Sequence, residues 1–179
     1  MNVVYISDTN IWIDFRNAGF LDVLFNLPLK FCCTDFVLYE LNDFDHQDLR
    51  AKGLQIMEID EKSLSELSDL TYAHNNSSLA DVSCYLLAKK SGYSLLTGDG
   101  QLRKQAAVDG LMVHGALWLL DRLVESKLIS DAEAASGLTA MLAAGARLPK
   151  VECSNRLATW TYAPCFNDHT AAMRATDKT

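Results

Sequence analysis

The sequence lacks a hydrophobic run long enough to cross a membrane. No apolar stretch among its 179 residues approaches the roughly 18 residues that a transmembrane helix needs. Its opening, MNVVYISD, has no basic segment and reaches an acidic residue at Asp8, so a buried strand is expected there instead of a signal peptide. These two absences make a cytoplasmic protein without membrane contact the expectation.

Cysteine pairs and clustered histidines are also missing. The five cysteines form an odd count without a Cys-x-x-Cys pair, and the four histidines show no ligand spacing. This pattern argues against a disulfide framework and against a zinc site. Cys32 and Cys33 lie in an apolar strand pattern and Cys84 in an apolar helix pattern, so buried, unreactive side chains are predicted for them.

An excess of positive charge is absent as well. With 16 Lys and Arg against 23 Asp and Glu, the formal net charge is −7, which is unfavourable for holding duplex nucleic acid through its phosphates. A local basic patch is still compatible with this balance, and bound divalent cations would change the charge of an acidic cleft. No GxxxxGK[ST] phosphate-binding loop occurs, and Gly98-x-Gly100-x-x-Arg103 lacks the third glycine of a dinucleotide fingerprint.

What is present is an alternation of short apolar runs with helical patterns in a chain of ordinary globular composition, 49% hydrophobic and 22% charged. The runs predict five strands: Val3–Ile6, Leu29–Cys33, Leu54–Ile59, Tyr93–Thr97 and Leu111–His114. Such alternation is typical of a mostly parallel sheet covered by helices on both faces, a three-layer α/β/α sandwich with further helices at the C-terminal end.

Capping signals place the helices. Ser78 with Asp81 has a capping-box-like spacing, and Ser130-Asp131-Ala132-Glu133 is a capping box whose helix Gly145 can end. The acidic segment Asp43–Asp48 is interpreted as a loop or a helix break. Residues 1–148 are expected to form the main domain, and residues 149–179 a short helix followed by a loosely ordered polar tail.

Four acidic residues stand where a site is expected. Asp8 and Asp99 directly follow predicted strands, and the carboxyl ends of parallel strands share one edge of the sheet. Asp81 opens the helix before the fourth strand, and Glu40 lies in the helix after the second. Each has a structural alternative: Asp8 and Asp99 as helix caps, Asp81 as a helix-dipole partner, and Glu40 on a solvated face.

If the four carboxylates converge, they cannot all stay ionised at close range without a cation between them. Oxygen ligands without His or Cys select Mg²⁺ or Mn²⁺. The residues alone leave the choice open between such a metal site and four ordinary helix-start acids.

In order and spacing, the motifs SDTNIWIDF, LYEL and SLADVSCYLLAKKSGYSLLTGDGQLRK resemble PIN-domain proteins, over about Val3 to Val113. Members of that family are metal-dependent ribonucleases, and many are the toxin halves of bacterial toxin–antitoxin pairs, the VapC-like group. The resemblance implies that Asp8, Glu40, Asp81 and Asp99 are the catalytic and metal-binding acids, with Glu40 acting through a metal-bound water. Some relatives carry a further acid beside the last of these, where this chain has Gly100, Gln101 and Leu102, so a filled second metal site is in doubt.

The resemblance also implies supporting residues and partners. Thr9, Asn10 and Thr97 are candidates for hydrogen bonds to the metal-binding acids, and Arg103 and Lys104 for contacts with an RNA backbone, their alternative being a solvated basic face. The expected function is a Mg²⁺- or Mn²⁺-dependent endoribonuclease, with RNA as substrate and an antitoxin and a second copy of the chain as candidate partners. The alternatives are a non-catalytic PIN-like binding module and a receiver-like phospho-acceptor, which usually needs paired acids where Ser7-Asp8 supplies one.

Overall fold

The structure, a computed structural model, describes residues 4–74 and 76–161. Three sequence expectations therefore fall partly outside the described residues: the start of the first strand at Val3, Asn75 within the predicted break before the central helix, and the polar tail beyond residue 161.

Within the described part of the chain, five strands form one sheet, and every pair of neighbours is parallel. Their spatial order is β3-β2-β1-β4-β5, so the first strand lies in the middle. This confirms the predicted α/β class and the strand count. The bounds are β1 (Val4–Ser7), β2 (Lys30–Thr34), β3 (Gln55–Met57), β4 (Ser94–Leu96) and β5 (Val113–His114).

The two edge strands, β3 and β5, are shorter than the strands predicted from the apolar runs of the sequence. The last ladder pair of β3 joins Met57 to Thr34, and Thr34 is also the residue that caps the helix after β2. Glu58 and Ile59 therefore extend past the end of β2 and have no strand beside them. At the other edge, β5 pairs only Val113 and His114 with β4.

In residues 4–74 and 76–161, ten α-helices and one 3₁₀ turn (Glu61–Ser63) surround the sheet. The helices are α1 (Thr9–Asn17), α2 (Leu21–Leu24), α3 (Asp35–Glu40), α4 (His46–Ala51), α5 (Leu64–Ala73), α6 (Leu79–Ser91), α7 (Gly100–Val108), α8 (Ala116–Glu125), α9 (Asp131–Ala143) and α10 (Lys150–Thr161). None of the helices within the described ranges is both long and apolar enough to span a bilayer.

The central helix α6 packs across β1, β2 and β4 and contacts α3, α5 and α7 on its flanks. Eight of its residues from Ala80 to Ala88 are buried, which explains why that stretch carries so few charges. Helices α1, α8 and α9 pack together, and α10 lies on α9. Tyr5 of β1 contacts the Trp118 ring of α8 at 5.4 Å between centroids, which joins this second helical layer to the sheet.

Two helices differ from the sequence expectation. The segment Asp43–Asp48, interpreted as a loop or break, contains the start of α4, because Asp45 accepts hydrogen bonds from the Gln47 and Asp48 amides and caps a helix that buries Leu49. The short helix expected after Pro149 is the 12-residue α10. Arg156 anchors it to α8 by donating two hydrogen bonds to Asp121, at 2.9 and 2.7 Å.

Other local predictions are confirmed. The capping box is complete, with the Ser130 hydroxyl accepting from the Glu133 amide and the Glu133 carboxylate accepting from the Ser130 amide. Cys32, Cys33 and Cys84 are buried free thiols, and burial raises the pKa of Cys32 to about 12. These cysteines therefore serve as small core side chains.

Gly137 lets α9 approach the α1–α2 connection, and this yields a stability prediction. A Cβ atom at Gly137 would lie 2.2 Å from the Phe20 ring, well inside van der Waals contact. Gly137→Ala gains about 1 kcal/mol of helix propensity but overpacks the core by about 1–3 kcal/mol. We expect a net loss of up to about 2 kcal/mol in the free energy of unfolding, measured by urea denaturation.

The control for this prediction is a double-mutant cycle with Phe20→Ala. In that background the ring is gone, so Gly137→Ala should become neutral or stabilising. An equal loss in both backgrounds would show that Phe20 is not the cause.

Candidate functional site

The crevice between β1 and β4 is the point where the strand order changes direction. From β1 the chain builds outward to β2 and β3 on one side, then crosses over to β4 and β5 on the other. Open α/β sheets bind their ligands at such a point, beyond the carboxyl ends of the strands. Asp8 follows β1, and Asp99 follows β4 after Thr97 and Gly98. Because α6 leads into β4, its first turn, with Asp81, begins at the same edge.

Asp8 is fully buried and held from both sides of the crevice. Its Oδ1 accepts from the Ile11 amide at 3.1 Å, which caps α1, and its Oδ2 accepts from the Gly98 amide at 3.1 Å, across the crevice. Burial raises the pKa of Asp8 above its ordinary value, and the charge of Asp99 adds to this. Hydrogen bonds from the Thr97 side chain and the two backbone amides oppose the rise.

Asp99 caps α7 and is tied to the segment before α6. Its Oδ1 accepts from the Gln101 and Leu102 amides at 2.8 and 3.0 Å, while its Oδ2 accepts from the Ser77 hydroxyl at 2.7 Å. The helix-cap alternatives for Asp8 and Asp99 are thus real, but each accounts for only one oxygen of its carboxylate.

Asp81 has one carboxylate oxygen that no structural role explains. Its backbone amide donates to the Ser78 hydroxyl at 3.1 Å, but the side chain does not complete a capping box. Its Oδ1 is buried and has no hydrogen-bond partner within the described residues. Burial, followed by the charges of Asp8, Glu40 and Asp99, raises the pKa of Asp81 to about 7. The charges of the other three predicted acids therefore all act on Asp81.

Glu40 is turned toward the crevice by Thr9. The Thr9 hydroxyl donates to Glu40 Oε2 at 2.6 Å, across 31 residues of sequence, although Glu40 itself is exposed. A side chain on a purely solvated face would not need this bond. The direction of Glu40, which the sequence does not determine, is therefore set by the first residue of α1.

Of the remaining residues predicted for the site, some make hydrogen bonds near the acids and others are exposed to solvent. The Thr97 hydroxyl accepts from the Asp99 amide at 3.0 Å and also interacts with Asp8, so it lies between two of the acids. Asn10 is exposed, and its side chain makes no hydrogen bond within the described part of the chain. Arg103 is half-buried and donates to the Thr97 carbonyl at 2.9 Å, while Lys104 is exposed.

Two residues near the acids were not predicted. Ser77 orients Asp99, but in the sequence it is only part of a polar break. Asp14, six residues after Asp8 on α1, is half-buried, and burial together with the charge of Asp8 raises its pKa to about 6. A spacing of six residues is not a face-sharing interval of a helix, so no sequence signal pointed to it.

A pocket of about 670 Å³ adjoins the acids on the side of β4 and β5. It shares Thr97, Gly98 and Gly100 with the acidic site and continues between α7, α8 and the start of α10. The half-buried rings of His114 and Trp118, stacked at 4.0 Å between centroids, form part of its wall.

The acids fit a hard divalent cation by the chemistry of their donors. All are carboxylates, and a buried, unpartnered oxygen at Asp81 among three further carboxylates is an arrangement that a cation would relieve. In their present orientations no three His, Cys, Asp or Glu side chains of the described residues are grouped closely enough to hold a metal. Protein donors occupy Asp8, Asp99 and Glu40 instead.

Comparison with known proteins gives a family match and a structural match. A family model described as a PIN domain matches residues 4–161, a range that contains all of the described residues. Among solved structures, a PilT N-terminus domain protein of the archaeon Sulfolobus solfataricus is similar at 9% sequence identity and a TM-score of 0.44, covering 66% of this chain and 92% of that one. No curated protein matches this chain significantly in sequence.

Proposed function

Because this chain belongs to the PIN-domain family and so has a nuclease-type fold, we propose that it is a divalent-metal-dependent endoribonuclease. The observation that carries the proposal is the Asp81 carboxylate, which is buried, unpartnered at Oδ1 among the described residues and repelled by three other acids. A structural role would supply such a group with a hydrogen bond, since buried unpaired polar atoms are costly. A cation site accounts for it directly.

In this proposal Asp8, Asp81 and Asp99 hold a Mg²⁺ or Mn²⁺ ion, and Glu40 acts through a water on it. Such an ion supplies an activated water at neutral pH and neutralises charge on the phosphate undergoing hydrolysis. The protein fixes the positions of the acids. The Ile11 and Gly98 amides hold Asp8 rigidly, the α7 amides and Ser77 orient Asp99, and Thr9 holds Glu40 at the rim.

The test is a cleavage assay on labelled single-stranded and structured RNA, with Mn²⁺ and with chelator. Asp8→Asn keeps one oxygen for the Ile11 amide but removes the charge, so we expect cleavage to fall at least about a hundredfold, as for loss of a single charge-stabilising group. Asp69→Asn is the matched control, because Asp69 is exposed on α5 and is not among the charges that shift the pKa of Asp8 or Asp81. It should cleave like the wild type.

Three outcomes would contradict the proposal. Cleavage in chelator, or full activity of Asp8→Asn, would remove the metal mechanism. Failure to cleave any RNA with Mn²⁺ would favour the non-catalytic binding module. A toxin role with an antitoxin partner, and a homodimer, remain part of the proposal and would be tested by co-expression with the neighbouring gene product and by sedimentation.

A further inference from the structure

The three-residue connection between β4 and α7 supplies groups that hold the acids. It consists of Thr97, Gly98 and Asp99. The Gly98 amide donates to Asp8 Oδ2 at 3.1 Å, and the Asp99 amide donates to the Thr97 hydroxyl at 3.0 Å. Gly98 is exposed and has no side chain, so packing at this position does not fix the direction of its amide. A hydrogen bond at the other end of the same peptide unit must do so.

Arg103 supplies that hydrogen bond from the first turn of α7. Its Nη1 atom donates to the Thr97 carbonyl at 2.9 Å. The peptide unit between Thr97 and Gly98 is trans, so its C=O and N–H groups lie in one plane and point in opposite directions. A bond that fixes the carbonyl on one side therefore directs the Gly98 N–H toward Asp8 on the other side. The guanidinium and the Asp8 carboxylate are thus connected through a single peptide unit.

Gly115, directly before α8, leaves room for this guanidinium. A Cβ atom at Gly115 would lie 3.1 Å from Arg103 Nη1 and 3.5 Å from the Thr97 carbonyl oxygen, the two atoms that form the hydrogen bond. Within residues 4–74 and 76–161, the half-buried Arg103 has no ion-pair partner. Hydrogen bonds from an ionised donor are roughly twice as strong as neutral ones, so the bond to the Thr97 carbonyl holds this peptide firmly.

We propose that Arg103 is a positioning residue of the acidic site, which holds Asp8 in place through the peptide between Thr97 and Gly98. This role differs from the RNA-backbone contact that the family resemblance implies for Arg103. The inference rests on the proposed function in taking Asp8 as a metal ligand, but the hydrogen bonds that carry it are present in the metal-free protein. The charge of Arg103 by itself repels a cation, so its contribution to metal binding comes from geometry.

The first test is hydrogen exchange of the Gly98 amide, followed by NMR on the full chain without metal. Arg103→Met keeps an aliphatic side chain but removes the donor, so we expect this amide to exchange at least about tenfold faster, as for a weakened hydrogen bond to a charged group. Arg103→Lys keeps the charge without the planar guanidinium and should lie between Arg103→Met and the wild type. Lys104→Met is the matched control, because it removes the same charge from the next, exposed position of α7. It should leave the exchange of Gly98 unchanged.

Calorimetric titration with Mn²⁺ alone separates geometry from charge. Removing a positive charge should slightly strengthen cation binding in Lys104→Met, whereas Arg103→Met should weaken it about 10–100-fold, as for loss of a residue that orients a metal ligand.

Wild-type exchange of Gly98 in both Arg103 variants, or Mn²⁺ binding in Arg103→Met as tight as in Lys104→Met, would overturn the positioning role. If RNA is still cleaved in a metal-dependent way by the wild type, the ribonuclease proposal survives that result. If the exchange of Gly98 responds as expected while the wild type neither binds Mn²⁺ nor cleaves RNA, Arg103 does hold Asp8 and the ribonuclease proposal fails.

Discussion

Replacing Asp81 with Asn should make the metal-free protein more stable, by up to about 4 kcal/mol at pH 8. In the folded chain the pKa of Asp81 is raised to about 7 from an ordinary value of 3.8, because burial and the charges of Asp8, Glu40 and Asp99 disfavour the ionised form. Each pKa unit corresponds to about 1.4 kcal/mol of stability. Asn resembles the neutral acid and carries no charge to bury.

The stability gained by Asp81→Asn must increase as the pH rises. A carboxyl group whose pKa is raised by folding binds its proton more tightly in the folded state, so the wild type loses stability as pH rises toward 7. Between pH 5 and pH 8 the loss through Asp81 is about 2–3 kcal/mol, and the raised pKa values of Asp8 and Asp14 act in the same direction. Asp81→Asn should therefore gain only about 1–2 kcal/mol at pH 5.

Urea denaturation in chelator at the two pH values measures this effect. The Asp69→Asn control should change the free energy of unfolding by no more than about 0.5 kcal/mol at either pH. Mn²⁺ should then stabilise the wild type at pH 8 by mass action and have much less effect on Asp81→Asn. A variant that is less stable than the wild type at pH 8, or that keeps the full pH dependence, would disprove this account of Asp81.

Replacing Trp12 with Ala should cost about 3–5 kcal/mol, a large share of the stability of a domain of this size. Trp12 is 0% exposed and lies between two phenylalanines, stacked on Phe25 at 5.8 Å and edge-on to Phe31 at 5.9 Å between centroids. The substitution removes these contacts and leaves a cavity beneath α1. Because Asp8 caps that helix, the position of the Asp8 carboxylate should change as well.

Trp12→Phe separates the contribution of ring packing from that of the polar indole nitrogen. The indole Nε1 of Trp12 is buried without a hydrogen-bond acceptor among the described residues, a cost of about 1–3 kcal/mol that phenylalanine avoids. We expect this variant to lose less than about 1.5 kcal/mol despite its smaller ring. Both variants should keep the wild-type m-value in urea. Similar losses for Phe and Ala would mean that the indole nitrogen carries the contribution.

The sequence predicted the positions of Asp8 and Asp99 well because both follow buried strands, and parallel strands must end at one edge. It also predicted where α6 begins, since Ser78 is a strong cap signal. The direction of Glu40 could not be predicted. It depends on a hydrogen bond from Thr9, which the fold brings near across 31 residues, and helix periodicity contains no such information.

The sequence also did not predict the pocket beside the acids, for a related reason. Arg103, Trp118 and Arg147 belong to three segments that only the packing of α7, α8 and α10 brings together. Separately, each residue has the appearance of an ordinary surface or core side chain. Helix α4 was missed for a different reason. Its acidic start at Asp45 and Asp48 resembles a polar loop, and the sequence does not show that Leu49 is buried.

The central place of β1 also governs when the acids become organised as the chain is synthesised. Asp8 is made well before its partner, because the amide that holds its Oδ2 belongs to Gly98, 90 residues later. Until β4 has been made, one side of β1 has no partner strand, and Asp99 does not yet exist. A growing or truncated chain that ends before this point therefore carries acidic residues that the sheet has not yet brought to one edge.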